Sequence, residues 1–218
     1  MSLPKGIERR DLGGSDRLAT RGEPVYGEPT SEGWRAWDPN RSKLGAMLET
    51  GMETGLAGSD PEAGPYTGDT VLYLGAASGT TVGHVADFAG PTYAVEFAPR
   101  PVRDLVGVAE DRPNLFPLLK DARTPESYAH VVESGVDAIV QDVATRGQAD
   151  VALRNREFLR EDGRLLAAIK ARSEDVTREP DEVFPEVLER LEEGYEVLGT
   201  ERLEPYHDDH LAVVARPR

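Results

Sequence analysis

The chain has 218 residues, 40 of them acidic and 25 basic, with a net charge of −15, 39% hydrophobic residues and no cysteine. The missing cysteines exclude disulfides, thiolate metal sites and cysteine nucleophiles. No run of about 18 apolar residues offers a membrane span, and Met1-Ser2-Leu3-Pro4-Lys5 lacks an apolar signal region, so a cytoplasmic location is expected. The acid excess alone disfavours contact with nucleic-acid phosphates. Yet only four basic residues are lysine: Lys5, Lys43, Lys120 and Lys170. Acid excess with scarce lysine reads as adaptation to a cytoplasm at molar salt, where the Debye length falls to about 3 Å and surface repulsion is screened.

Residues 1–57 carry Gly13-Gly14, Gly22, Pro24, Gly27, Pro29, Gly33 and Pro39 among Tyr26, Trp34 and Trp37. That punctuation predicts a small antiparallel β domain. A helix follows from about Arg41 to Gly51, with Leu44, Met47 and Leu48 on one face. Residues 58–68 read as a loop. From there to residue 218, strands expected at 70–74, 92–96, 115–119, 136–141, 164–169, 196–203 and 210–215 alternate with helices. The helices are expected at 80–89, 100–111, about 125–134, 148–160 and 181–193. The order predicts an α/β fold, a seven-stranded, mostly parallel Rossmann-like sheet with helices on both faces. Its last two strands form an antiparallel hairpin at one edge.

The strongest signal is Val71-Leu72-Tyr73-Leu74-Gly75-Ala76-Ala77-Ser78-Gly79-Thr80-Thr81-Val82-Gly83, a buried strand entering a glycine-rich turn and a helix. Thirteen residues beyond Gly83, Glu96 ends the next apolar run. This is the layout of a nucleoside-cofactor site. The Gly-x-x-x-Gly spacing of Gly75 and Gly79 is not the pyrophosphate-cradling Gly-x-Gly-x-x-Gly. It favours S-adenosylmethionine (SAM), which has no phosphate, over NAD.

These phrases resemble archaeal fibrillarin, and the resemblance spans nearly the whole chain. It continues in Arg41-Ser42-Lys43-Leu44, Val95-Glu96-Phe97-Ala98-Pro99-Arg100, Asp121-Ala122-Arg123, Asp142-Val143-Ala144, Ile169-Lys170-Ala171-Arg172-Ser173 and Pro205-Tyr206-His207-Asp208-Asp209-His210. One departure is Thr145-Arg146, where the family usually has Gln-Pro. The resemblance implies a class I SAM-dependent methyltransferase that methylates ribose 2′-hydroxyls of pre-rRNA and tRNA. Box C/D guide RNA would direct it within a ribonucleoprotein. It further implies two partners, a Nop-domain scaffold protein and a kink-turn-binding protein of the ribosomal L7 type, which would hold the RNA for so acidic a chain.

Doubly wound sheets bind ligands beyond the carboxyl ends of their strands, where the candidate residues fall. Gly75, Ala76, Ser78 and Gly79 would pass close to the methionine part of SAM. Thr80 and Thr81 would receive its carboxylate at a helix start. Glu96 would accept from the ribose diol, Phe97 would pack near the adenine, and Asp121 with Ala122 resembles the family's adenine contact. Asp142, Val143, Ala144 and Thr145 would line the cofactor near its sulfonium. By resemblance to the Lys-Asp-Lys-Glu group of other 2′-O-methyltransferases, Lys43, Asp142, Lys170 and His210 are the catalytic candidates. Lys170 would sit beside the 2′-oxygen and Asp142 would hold Lys170. Two of four lysines fall in this group of an arginine-preferring chain, which suggests that the ammonium itself is needed.

Arg100, Arg123, Arg146 and Arg172 are candidates for RNA phosphates or for surface ion pairs. His84, His130, His207 and His210 lack ligand spacing, so no metal is expected. Rival readings are a non-catalytic structural subunit of the same particle, a methyltransferase acting on protein or a small molecule, and, more distantly, an NAD-linked oxidoreductase.

Overall fold

Two sheets organise the chain, and the computed structural model describes residues 3–60, 62–132 and 135–218 of it. The first sheet holds β1 (Ile7–Asp11), β2 (Asp16–Arg21), β3 (Thr30–Ser31) and β4 (Trp34–Ala36) in the order β1-β2-β4-β3, all antiparallel. Helix α1 (Lys43–Glu49) follows, its first turn capped where the Ser42 hydroxyl accepts from the Gly45 N–H at 3.0 Å.

The second sheet contains β5 (Val71–Leu74), β6 (Thr92–Glu96), β7 (Leu115–Leu119), β8 (Val136–Gln141), β9 (Leu159–Lys170), β10 (Tyr195–Arg202) and β11 (His210–Pro217). Their order is β10-β11-β9-β8-β5-β6-β7. The run from β9 to β7 is parallel, and β11 and β10 are antiparallel, as the predicted edge hairpin requires. The helices are α2 (Thr80–Phe88), α3 (Pro99–Glu110), α4 (Gln148–Asn155), α5 (Ala171–Glu174) and α6 (Pro180–Leu191). Among the described residues, no helix is long and apolar enough to cross a membrane.

Alternate residues of each strand feed opposite cores, as the strand period of two demands. Val71, Tyr73, Val140, Ala168 and Ala212 pack on one side with Val82, Phe88, Leu44 and Met47. Leu72, Leu74, Ile139, Ile169 and Val213 pack on the other with Val151, Val183 and Leu191. Ile7, Leu18 and Trp37 of the N-terminal part belong to the first cluster, so that part shares its core with the large sheet.

A buried ionic lattice also joins the two. Arg35 donates to Glu28 Oε1 at 2.6 Å and to Asp87 Oδ2 at 2.7 Å, while Arg112 donates to Asp87 Oδ1 at 2.9 Å. The rigid guanidinium fork suits such bridging better than an ammonium.

Two predicted helices are corrected. The stretch expected as a helix over 125–134 is a 3-10 turn at Pro125–Ser127 followed by irregular turns, and Glu133 and Ser134 lie outside the described residues. The backbone there mixes bonds to the third and fourth preceding carbonyls, with buried Tyr128 as anchor. The helix expected over 148–160 ends at Asn155, and a 3-10 turn leads into β9 at Leu159. Asn155 is fully buried and its amide donates to the carbonyls of Ala122 and Val151, while it accepts from the Tyr128 hydroxyl. That bonding stops the helix. Phe158 and Leu159 bury equally well from a turn and a strand, so apolar spacing did not separate the alternatives.

Candidate active site

The carboxyl ends of the parallel strands meet along one rim. Gly75 follows β5, Glu96 ends β6, Asp121 follows β7, Asp142 follows β8 and Lys170 ends β9. Strand β11 runs the other way and so brings its first residue, His210, to the same rim. His210 lies directly opposite Lys170 in the β11–β9 register.

The backbone pairing refines this. The Ala171 N–H donates to Asp209 O at 3.0 Å, and His210 O accepts from the Leu203 N–H at 3.1 Å. Lys170 and His210 are therefore a non-hydrogen-bonded antiparallel pair, the kind with Cα atoms only about 4.5 Å apart and side chains closest. Parity places both on the face of Ala168 and Ala212, where α1 packs. Asp142 extends β8 by one residue, its N–H donating to Leu74 O at 2.9 Å, and has the parity of Val140 on that same face.

Lys43, the first residue of α1, comes to this face from far away in the chain. An Asp38 side chain accepting from the Asn40 N–H at 2.9 Å, the Ser42 cap, and His207 Nε2 donating to Pro39 O at 2.8 Å fix the turn that carries it. Lys43 Nζ then lies 3.2 Å from Asp142 Oδ2. This corrects the expected pairing: Asp142 holds Lys43, and Lys170 makes no ion pair among the described residues.

The His207 and His210 rings meet edge to face with centroids 5.6 Å apart. Burial pushes both histidines down from their ordinary value, and the nearby Lys43 ammonium adds to the effect. His210 Nδ1–H donates to Asp208 O at 2.7 Å, which leaves Nε2 as the lone-pair nitrogen of the neutral ring. His207 is a clamp on the Lys43 turn, while His210 sits beside Lys170.

The Gly75–Gly79 loop is strained. Gly75, Ala77 and Gly79 all have positive φ, of 85°, 47° and 95°. A side chain at Gly75 would strike the Asp142 carbonyl, and one at Gly79 would meet Val108 Cγ2 at 2.9 Å. What excludes side chains here is packing within the protein as well as the left-handed backbone.

Glu96 is buried, 8% exposed, and holds this loop. Its Oε2 accepts from the Ala77 N–H at 3.0 Å and its Oε1 from the Ala98 N–H at 2.9 Å, leaving further lone pairs for a ribose diol. Ala77 was not among the expected residues. No side-chain oxygen marks it in the sequence, and only its backbone matters.

Gly79 caps α2 and offers no side chain, so the first N–H groups of that helix are not capped from within and suit an anionic carboxylate. Thr80 is the first helical residue and not the cap. Thr81, the second residue of α2, is buried. Ala76 is buried and Ser78 half-buried in the loop, whereas Phe97 is 69% exposed at its mouth.

Asp121 is gripped by Arg123, whose Nη2 lies 2.6 Å from Oδ2 and which holds the carboxyl below its usual range; Ala122 beside it is buried. Val143 packs on the second core, Ala144 is exposed, and Thr145 is half-buried with its hydroxyl 3.3 Å from Arg146 O.

The four arginines divide. Arg123 is spent on Asp121, and Arg172 donates to Asp209 at 3.0 Å. Arg100 and Arg146 are exposed and form no ion pair among the described residues.

Comparison with known proteins agrees with this geometry. A family model described as Fibrillarin matches residues 11–218. A relative from Halorubrum lacusprofundi, named fibrillarin-like rRNA/tRNA 2′-O-methyltransferase, is 71% identical over 217 residues, covering 100% of this chain and 98% of its own. A fibrillarin solved in complex with Nop5p superposes with a TM-score of 0.88 at 38% identity, with both chains fully covered. Aeropyrum pernix fibrillarin, solved with natively bound S-adenosyl-L-methionine, gives a TM-score of 0.79 at 42% identity, covering 99% of this chain and 100% of that one. With a model matching nearly its full length and relatives of this identity, the chain belongs to the fibrillarin family.

Proposed function

We propose that this protein methylates ribose 2′-hydroxyls of rRNA and tRNA, using SAM as methyl donor. The observation that carries the reading is the convergence of Lys43, Asp142, Lys170 and His210 on one face of the sheet rim, next to the Gly75–Gly79 loop. The loop fits SAM: the uncapped start of α2 suits the carboxylate, and Glu96 offers buried acceptors for the ribose. When bound, SAM supplies a methyl group already activated by its sulfonium.

The chain's task is then to align a ribose hydroxyl in line with that methyl and to handle one proton. As the O–C bond forms, the C–S bond breaks and its electron pair stays on sulfur. The proton leaves the 2′-oxygen for a base in the site. The Lys170 ammonium stabilises the developing oxyanion. Lys43 and Asp142 neutralise each other, so Asp142 does not compete for Lys170. The neutral His210 ring, with Nε2 as its lone-pair nitrogen, is the acceptor we assign for the proton. Amine nucleophiles of protein substrates need no such group, and this favours the hydroxyl acceptor.

A Nop-domain scaffold is the partner we assign, because a fibrillarin of the same fold has been solved with Nop5p. Guidance by box C/D RNA and a kink-turn-binding protein of the L7 type complete the proposal. The test is transfer of labelled methyl from SAM to a guide-matched RNA in molar KCl with both partner proteins. Modification of one 2′-hydroxyl, lost in Lys170→Ala, is expected. SAM binding without RNA modification would turn the reading toward another acceptor.

A further inference from the structure

Strand β9 runs beyond its neighbour: the β8–β9 ladder ends at the Gln141–Ala167 pair, three residues short of Lys170. On the other side Lys170 is the non-hydrogen-bonded partner of His210, so its N–H and C=O point away from β11, toward the missing stretch of β8. A buried backbone group left unpaired there would be costly.

A side chain fills the gap. Gln148, at the start of α4 and fully buried, accepts from the Lys170 N–H through Oε1 at 2.9 Å and donates from Nε2 to Lys170 O at 3.0 Å. Its carboxamide stands in for the peptide group that a longer β8 would have supplied.

Every polar atom of Gln148 is used. The second Nε2 hydrogen goes to Glu174 Oε1 at 2.8 Å, and the backbone N–H donates to the same oxygen at 2.7 Å. The backbone carbonyl accepts from Gln141 Nε2 at 2.9 Å. Glu174 Oε2 also accepts from the Gly147 N–H at 2.9 Å, so this carboxylate caps α4. With both amide hydrogens directed at acceptors, the carboxamide has one orientation.

We infer that Gln148, held by Glu174, is a positioning residue for the methyl transfer, fixing the backbone of Lys170 and hence where its ammonium stands. The inference rests on the proposed role of Lys170. Among the described residues the hydrogen bonds of the Gln148 side chain go to the Lys170 backbone and Glu174, and none goes to the Gly75–Gly79 loop or to the side chains of Lys43, Asp142 or His210. Its loss should therefore affect turnover more than binding.

The test compares the full chain with Gln148→Met, which keeps length but removes the side-chain hydrogen bonds to Lys170 and to Glu174, in the reconstituted methylation assay. We expect kcat to fall about 10–100-fold, the scale of a misplacement near 1 Å, while KM for SAM and for RNA stays within about twofold. Hydrogen exchange of the Lys170 amide should accelerate in the same variant, a readout independent of activity. Should the methionine variant not fold, Gln148→Asn, too short to span both groups, replaces it with the same expectations. Unchanged kcat in a folded variant, or KM rising in step with the loss, overturns the inference. A parent chain that binds SAM but methylates nothing overturns the proposed function, and this inference with it.

Discussion

Lys43 Nζ stands 3.2 Å from Asp142 Oδ2, joining the first residue of α1 to the end of β8, while Lys170 has no carboxylate partner among the described residues. An unpaired ammonium at the strand end is free to face an oxyanion; one neutralised by Asp142 would be weaker at it. Lys170→Ala should lower methyl transfer about 10²–10⁴-fold with SAM affinity retained, the range over which positioned proton-handling groups act. Because Lys43 and Asp142 act as a pair, Lys43→Met combined with Asp142→Asn should cost little more than the worse single change. Fully multiplicative losses in single-turnover rates would show instead that the two work separately.

Glu96 holds two backbone N–H groups from a buried position, one of them on strained Ala77. Glu96→Gln replaces one acceptor oxygen with an NH₂ that faces an N–H, leaving a buried donor unmet. Stability should drop about 1–3 kcal/mol, and SAM should bind at least about tenfold more weakly, as hydrogen bonds to the ribose are lost with the loop geometry. Calorimetric titration with SAM beside denaturant unfolding measures both; unchanged affinity would remove Glu96 from the cofactor site.

His84 is buried against Trp37, their centroids 4.7 Å apart, and accepts no proton easily. Burial, then the Arg35 and Arg112 charges, push it well below its ordinary value. His207 and His210 are lowered as well. Below the unfolded value near 6.5 the unfolded chain binds protons that the folded chain refuses, so stability must fall as pH falls from about 7 toward 5. Each such group contributes a slope approaching about 1.4 kcal/mol per pH unit. His84→Gln should make the decline shallower, and this comparison separates the histidine from Asp87, which burial shifts upward. Equal slopes for parent and variant in unfolding titrations at fixed KCl would contradict the assignment.

Arg100 and Arg146 are the two of the four arginines near the rim that form no ion pair among the described residues. Arg100→Ala and Arg146→Ala should each raise KM for RNA several-fold and reduce the salt dependence of binding by about one unit of slope. Arg123→Ala and Arg172→Ala should change KM for RNA less than about twofold, since their charges are already matched by Asp121 and Asp209. The reverse ranking would mean that the ion pairs open when RNA arrives.

The rim was legible because its signals are local. Gly75 and Gly79 mark a turn, Glu96 and Asp142 end apolar runs, and strand parity follows from spacing alone. Phe158 and Leu159 misled because an apolar pair suits a helix, a turn or a strand equally.

By itself the sequence determined the order of elements, the parallel sheet with its edge hairpin, the class of cofactor and the set of residues at the strand ends. These follow from periodicity and turn chemistry, which act over a few residues. Tertiary structure alone decided that Asp142 pairs with Lys43, that His207 clamps the Pro39 turn while His210 flanks Lys170, and that Gln148 completes the ladder beside Lys170. Each of these choices joins groups distant in the chain. They depend on how α1 and α4 pack against the sheet, and short-range pattern carries no record of that packing.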